Sequence, residues 1–412
     1  MYKRVPGTKD ILLDEVYSWQ EIEKISRQLF SLYNYQEIRP PLIEDAALFN
    51  RSLGEFTEIV QKQMFLIKNQ EDTYALRPEG TASIVRAYIE NNLDKTKGFV
   101  KLYYLGPMFR LERPQKGRLR QFHHIGAEVI GSNSAEIDVE VIALADNLLK
   151  AYAISGYTIK LNTIGCSKDK KELIKLLQKE LKDTLDNLCP DCNERFKHNV
   201  LRILDCKNEA CQEVIKKIDL QHKHLCPECL EHFSQVKDGL DKLKVKYEVS
   251  PLLVRGLDYY TSTVFEIKHP DLGSQDAIGA GGRYDNLVAE LGGPQVGAMG
   301  FAFGVERLLL ATKQKTQDTS KNLVYLITLG DKARKEGLKI LAQLRNAGIP
   351  SDTDYENKSL KGAMRSANDL GAKFAIIIGD DELKKNIVML KDMQASTQKE
   401  IATDDLIQEL KC

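Results

Sequence analysis

FRLERPQKGRLRQFHHIGAE, residues 109–128, consists of two extended runs joined by the polar turn RPQKG. It carries Arg110, Arg113, Arg118 and Arg120. Alternation along a strand puts selected arginines on the face opposite the buried apolar residues, where planar guanidinium groups can grip phosphate. Read locally, the segment is equally a solvated charged hairpin. TYALRP, FVKLYYLGPMFRLE, RQFHHIGAEVIG, VFEIKH and MGFAFG are likewise short, aromatic and apolar, and bounded by glycine or proline. They predict strands of a mostly antiparallel sheet.

Outward from that sheet, Val16, Trp19, Ile22, Ile25, Leu29 and Leu32 recur at three- and four-residue steps. The spacing predicts one face of a helix over Glu15 to Tyr33. EIRPPLIE then turns extended, and Pro40 and Pro41, lacking amide donors, place it at a sheet edge or an interface. From Lys168 to Tyr247 the chain becomes Lys/Glu-rich and helical and holds six of the eight cysteines. TKQKTQDTSK, residues 312–321, has nothing apolar to bury and predicts a linker. LVYLITLG and the segments after it alternate strand with helix, which implies a compact unit with a largely parallel sheet. The expected class is α+β. A sheet domain spans 1–167 and 249–311, a helical Cys-rich module 168–248, a linker 312–321 and an α/β unit 322–412.

Over 412 residues, 59 Lys+Arg balance 59 Asp+Glu, so no global field draws the chain to nucleic acid, and RNA contacts would come from local patches. MYKRVPGTKDILLDEVYSW has no apolar signal core, and no apolar run is long enough to span a bilayer, so a cytoplasmic protein without membrane contact is expected. The cysteines then imply reduced thiols or metal ligands rather than disulfides. Cys189 and Cys192 form CPDC, and Cys226 and Cys229 form CPEC. Two such knuckles can give structural Zn²⁺ four thiolates, although the 33 residues between the pairs exceed the usual spacing; cysteines that merely pack are the alternative. Cys206, Cys211, His198, His222 and His224 are set aside as ligands.

GFAFGVERLLLA, residues 300–311, runs from a strand through glycine into a helix, with Arg307 in its first turns; alone, such an arginine reads as a salt-bridge partner. In LRPEGTAS, residues 76–83, Glu79 and Thr81 could bind an ammonium group, but a helix cap explains them as well.

Taken in order, these segments resemble the class II aminoacyl-tRNA synthetases: the Pro41 stretch matches motif 1, Arg110 motif 2 and Arg307 motif 3. LVRGLDYYTSTVFE, residues 253–266, and GAGGRYDNLV, residues 279–288, resemble the peptides that mark the histidine-specific members. The resemblance covers nearly the whole chain. It implies activation of L-histidine by ATP, transfer to histidine tRNA, Mg²⁺ on the departing pyrophosphate, a homodimer, and an anticodon-binding role for the C-terminal unit. That unit carries 14 Lys+Arg and 14 Asp+Glu from Leu323 to Cys412, so its charge adds no support.

Site residues follow from the same resemblance. Arg110, with Arg118 nearby, is expected at the ATP α-phosphate, Arg307 at the γ-phosphate end, and Arg255 beside the α-phosphate and the histidine carboxylate. Glu79, Gly80 and Thr81 match the α-ammonium site, and Glu128 and Tyr260 the residues facing the imidazole. An acceptor paired with a donor selects a neutral imidazole over isosteres lacking either. If LVRGLDYY continues as a strand, Tyr259 and Tyr260 point opposite ways and one of them is packing. Gly279, Gly281 and Gly282 permit close approach of a substrate ring or of an adjacent strand. His124 stands where the family usually carries the glutamine of RQFHQ, and a neutral imidazole can accept a hydrogen bond there. Arg113, Gln115 and Lys116, in the RPQKG turn, match the loop that meets the tRNA acceptor end.

Overall fold

The fold is known from a computed structural model that describes residues 2–12, 14–54, 57–115, 117–273, 276–312 and 322–411. The chain divides into two compact units, Met1–Thr316 and Gln317–Cys412. Of the expected linker, only Thr312 lies within the described residues.

In the first unit the quoted segment forms a long hairpin. Strands Val100–Phe109 and Gln121–Ile130 pair antiparallel without a break, from Val100 opposite Ile130 to Phe109 opposite Gln121. The four arginines fall in the connection between them, so it is the loop, and not strand alternation, that aims them. Arg110 and Arg120 add one rung, the Arg110 N–H donating to the Arg120 carbonyl at 2.9 Å.

Eight strands make the main sheet, in the order Gln36–Glu37, Val100–Phe109, Gln121–Ile130, Ala298–Gly304, Ala277–Arg283, Thr261–Lys268, Thr158–Thr163 and Glu248–Val249. The six central strands are antiparallel, and only the short outer strands pair parallel. The Pro40–Pro41 stretch follows one of those edge strands, where absent amide donors break no ladder. TYALRP departs from expectation: Thr73–Leu76 is the centre of a separate three-stranded sheet with Ile43–Asp45 and Phe65–Lys68.

Period-two alternation sorts side chains to the two faces of the main sheet. Leu102, Tyr104 and Met108 pack with Ile84, Val85 and Tyr88 of the helix Thr81–Glu90. Tyr103, Ile125, Ala127 and Val129 pack with the helix Ala135–Ala151 and with Trp19 and Ile22 of the helix Asp14–Leu32. Leu32, expected on the buried stripe of that last helix, is 81% exposed because the helix ends there, and Phe30 is buried instead.

The inserted module is helical, as expected, but its cysteines are arranged otherwise. Cys189, Cys192, Cys226 and Cys229 do not form one site: the first pair joins Cys206 and Cys211, and the second joins Cys166 and Asp169. The reason is local. Each knuckle opens its own helix, Pro190–His198 or Pro227–Lys242, and the intervening chain folds into short turns that bring Cys206 and Cys211 back to the first knuckle.

The second unit holds a five-stranded sheet in the order Ser351–Thr353, Val324–Thr328, Phe374–Ile378, Ile387–Asp392 and Gln398–Ala402. The first three strands are parallel, and the last two add antiparallel. The expected largely parallel sheet is therefore mixed. A parallel return needs roughly a dozen residues or more, whereas only Gly379, the six-residue helix Asp380–Lys385 and a left-handed Asn386 intervene before the chain turns back. Among the described residues no helix is long and apolar enough to cross a membrane.

Candidate active site

One cavity of about 210 Å³ opens on the face of the main sheet that carries Tyr104 and Glu128. Arg110, Arg118, Arg255 and Arg307 line it together with Glu79, Gly80, Thr81, His124, Glu128, Tyr259 and Tyr260. Residues spread over more than 220 positions of the chain thus converge because adjacent strands and their end loops bring them together.

Glu128 is the most deeply set of them, 1% exposed. Thr81 Oγ1 donates to its Oε1 at 2.7 Å and the Tyr284 hydroxyl to its Oε2 at 2.6 Å. Burial pushes the Glu128 pKa up to about 8 against these two donors. Gly300 sits opposite Glu128 in the neighbouring strand, and a Cβ there would fall 1.7 Å from Glu128 Oε2. Gly80 and Gly126 play the same part for Tyr104, whose ring would meet their Cβ atoms at 2.5 and 2.4 Å. Gly279 and Gly281 serve the adjacent strand, since Cβ atoms there would meet Phe303 and the Gly300 carbonyl at 2.3 Å.

Glu79 does both things its sequence allowed. Its carboxylate accepts the amides of Thr81 at 2.7 Å and Ala82 at 2.8 Å, capping the helix Thr81–Glu90, while it also lines the cavity. Burial raises its pKa.

His123 and His124 separate by alternation. His123 turns away, edge-on to Trp19 with ring centroids 4.8 Å apart, and its Nδ1 lies 3.0 Å from Glu306. His124 faces the cavity, where burial, then Arg110 and Arg307, lower its pKa to about 3 and keep the ring neutral. Its Nδ1 is buried without a hydrogen-bond partner.

The segment before the Thr261–Lys268 strand is a loop, so the alternation argument for the tyrosine pair fails. Tyr259 and Tyr260 both line the cavity, their ring centroids 4.7 Å apart, and burial raises the Tyr260 pKa to about 12.

Four guanidinium groups line the same cavity. Arg110 donates through Nε to the Pro78 carbonyl at 2.9 Å and stands 5.3 Å from the Phe122 ring centroid. Arg307, from the helix Val305–Ala311, donates to the carbonyls of Gly117 at 3.1 Å and Ala277 at 2.5 Å, not to an acid as its first-turn position suggested. Burial, followed by the charges of Arg118 and Arg110, lowers its pKa. Arg118 pairs with Glu112, and Arg255 with Glu266. Like charges gathered at this density are what a multiply charged anion requires.

Arg120 lies outside this group: its side chain binds the carbonyls of Glu112 and Pro6, each at 3.2 Å. Arg113 and Gln115 are exposed in the hairpin loop, which the Gln115 and Arg118 backbones close with reciprocal hydrogen bonds of 3.0 and 2.9 Å; Lys116 lies outside the described residues. Sequence reasoning missed Tyr104, Tyr284, Glu266 and Arg77. Arg77, 3% exposed, ties the carbonyls of Pro40 at 2.9 Å and Pro107 at 3.0 Å, joining the proline stretch to the main sheet. Only Tyr284 had a signal, in its place beside the glycine cluster of residues 279–282.

Comparison with known proteins matches nearly the whole chain. A family model described as histidyl-tRNA synthetase matches residues 7–308, and one described as anticodon binding domain matches 323–412. A histidine–tRNA ligase of Thermosipho melanesiensis is 45% identical over 411 residues, covering 99% of this chain and 98% of the relative. The apo histidyl-tRNA synthetase of S. aureus is 35% identical with a TM-score of 0.84, covering 100% of both chains. A Bacillus halodurans protein described as an ATP phosphoribosyltransferase regulatory subunit/histidyl-tRNA synthetase shares the fold, with a TM-score of 0.67 at 21% identity, over 92% of this chain and 98% of that one. With a family model spanning most of its length and a close relative aligned nearly end to end, this chain belongs to the histidyl-tRNA synthetase family.

Proposed function

We propose that this family member activates L-histidine with ATP, forming histidyl-adenylate and pyrophosphate, and then transfers the histidyl group to the 3′ end of histidine tRNA, releasing AMP. The observation that carries this reading is a single cavity lined both by four guanidinium groups, Arg110, Arg118, Arg255 and Arg307, and by Glu128 with Tyr260.

In this reading Arg110 and Arg118 hold the α-phosphate, Arg307 the far phosphates, and Arg255 the oxygens between phosphorus and carboxylate. Charge that develops as the carboxylate attacks is met by cations already in place. Glu128 and Tyr260 bracket the imidazole, while Glu79, Gly80, Thr81 and His124 surround the α-ammonium. The unpartnered Nδ1 of a neutral His124 supplies the acceptor that the family draws from glutamine. Mg²⁺ enters with the ATP phosphates as part of the substrate, and the carboxylate of Glu112 on the same wall is the kind of oxygen donor a hard cation takes.

Arg113, Gln115 and Lys116 would meet the acceptor end of the tRNA, and residues 322–412 the anticodon. A homodimer formed through the Pro40–Pro41 stretch would cover the exposed apolar residues Leu42, beside the small sheet, and Ile43, Leu66 and Ile67, on it. The domain boundaries proposed are those read from the sequence, except that Glu248 pairs with Lys160 in the main sheet and so belongs to the sheet domain.

Histidine-dependent ATP–pyrophosphate exchange by the full-length protein tests the assignment. Exchange is expected, and its absence from well-folded protein would exclude a synthetase in favour of a non-catalytic paralogue. Removal of residues 322–412 is expected to leave exchange while lowering tRNA charging; loss of both would give that unit a folding role instead. Gly300→Ala is expected to raise the histidine KM by about 100-fold or more, because a Cβ at 1.7 Å expels the Glu128 carboxylate. An unchanged KM would remove Glu128 from the histidine site.

A further inference from the structure

Four thiols in the inserted module serve no part of the aminoacylation site. Cys189 caps the helix Pro190–His198 and Cys192 lies within its first turn; Cys206 ends the short turn Val200–Asp205, and Cys211 lies in the helix Glu209–Ile215. Their sulfurs lie within 4.8 Å of one another, and Cys192 and Cys211 are fully buried. The Cys189 and Cys206 sulfurs are 3.9 Å apart. That is close to the edge, about 3.8 Å, of a tetrahedron whose zinc–sulfur bonds are about 2.3 Å.

Backbone donors already point at these sulfurs. The Cys189 amide donates to Cys211 Sγ at 3.2 Å, and the Asn208 amide to Cys206 Sγ at 3.4 Å. Amide donors of this kind stabilise thiolates and orient them as ligands. Packing alone gives no reason for four cysteines from three separate elements to converge on one point, because a thiol is only a weak hydrogen-bonding group.

The chain between these cysteines also touches the peptide that carries Arg255. Asn199 Nδ2 donates to Asp258 Oδ1 at 2.8 Å, and Arg202 donates to the Gly256 carbonyl and lies 3.9 Å from the Asp258 carboxylate. We infer that Cys189, Cys192, Cys206 and Cys211 hold one Zn²⁺ as a closed tetrathiolate site, and that this ion fixes the segment bracing residues 255–260. Four thiolates leave no open position, so the ion is structural and acts on activity only through that brace. The second cluster differs: Asp169 already accepts the amides of Cys226 at 3.1 Å and Cys166 at 3.4 Å, and no ion is assigned there.

The site itself is independent of the proposed function, whereas the bracing role rests on it, and two measurements separate them. Metal analysis of the full-length protein is expected to find one more equivalent of zinc in the wild type than in Cys206→Ser. Cobalt loaded into zinc-free wild type is expected to give the intense visible absorption and thiolate charge-transfer bands of tetrahedral all-sulfur ligation, a readout that stands even if the variant fails to fold. Equal zinc in both proteins, no such cobalt spectrum, or a disulfide among these four cysteines in freshly isolated protein would overturn the site. Removing zinc is expected to raise the histidine KM in pyrophosphate exchange, reversed when zinc is restored. An unchanged KM would overturn the brace, and a protein without any exchange activity would fail as a synthetase while its metal content still decided the site.

Discussion

Arg255→Ala is expected to lower kcat of histidine-dependent pyrophosphate exchange by about 100- to 1000-fold, the loss typical of one preorganised charge removed from a transition state. The histidine KM should move far less, because the proposed charge acts on oxygens whose negative charge grows during attack. The geometry is already prepared for this. Arg255 lines the cavity with one nitrogen held by Glu266, while its Nε is buried without a hydrogen-bond partner. Burial would raise the Glu266 pKa, but the charges of Arg255 and Lys268 outweigh it and hold the group below its ordinary value, as a carboxylate. Arg255→Lys should recover only part of the rate, since an ammonium keeps the charge and loses the planar fork that meets Glu266 and substrate together. Steady-state kinetics with histidine varied decides the point: equal losses in kcat and in histidine affinity would remove the transition-state role.

Glu128→Gln is expected to cost about 1000-fold or more in kcat/KM for histidine, because a site built to hydrogen-bond a ring nitrogen discriminates steeply when its partner changes. Its effect on folding should have the opposite sense at higher pH. With its pKa near 8 in the folded protein and near the ordinary 4.5 when unfolded, Glu128 keeps in the folded state a proton that the unfolded chain releases. The unfolded state therefore binds fewer protons between those values, and this group's contribution to stability falls as pH rises from about 4.5 to about 8. Glutamine cannot titrate, so the variant should lose that slope and gain on the wild type toward pH 8. Thermal unfolding across this range, without ligand, is the measurement. Parallel stability profiles for the two proteins would show that Glu128 is ionised in the free enzyme.

The sequence was informative wherever periodicity or a whole peptide carried the signal. The helix near Glu15 to Tyr33 follows from the spacing of apolar residues, the hairpin of residues 100–130 from two apolar, aromatic runs joined by a polar turn, and the helical insertion from its Lys/Glu-rich, Cys-rich composition. The residues expected at the histidine and ATP sites were named from peptides taken in order, and the structure brings them to one cavity, whereas Gly281 and Gly282 do not line it. Local readings were weaker guides. Glu79 could be a cap or a ligand, and its two amide bonds together with its place on the cavity wall show that the structure uses it as both cap and wall.

The set of chemical groups and the order of the elements that carry them were legible before any folding, because short-range patterning and covalent spacing are properties of the chain. Which groups meet was settled by long-range packing. Cys192 finds Cys206 and Cys211 rather than Cys226 because the short helices after it turn the chain back on itself. Tyr284 reaches Glu128 across 156 residues of chain because strand register sets them together over Gly300. His124 is held neutral because burial, followed by the charges of Arg110 and Arg307, lowers its pKa, which no local pattern records.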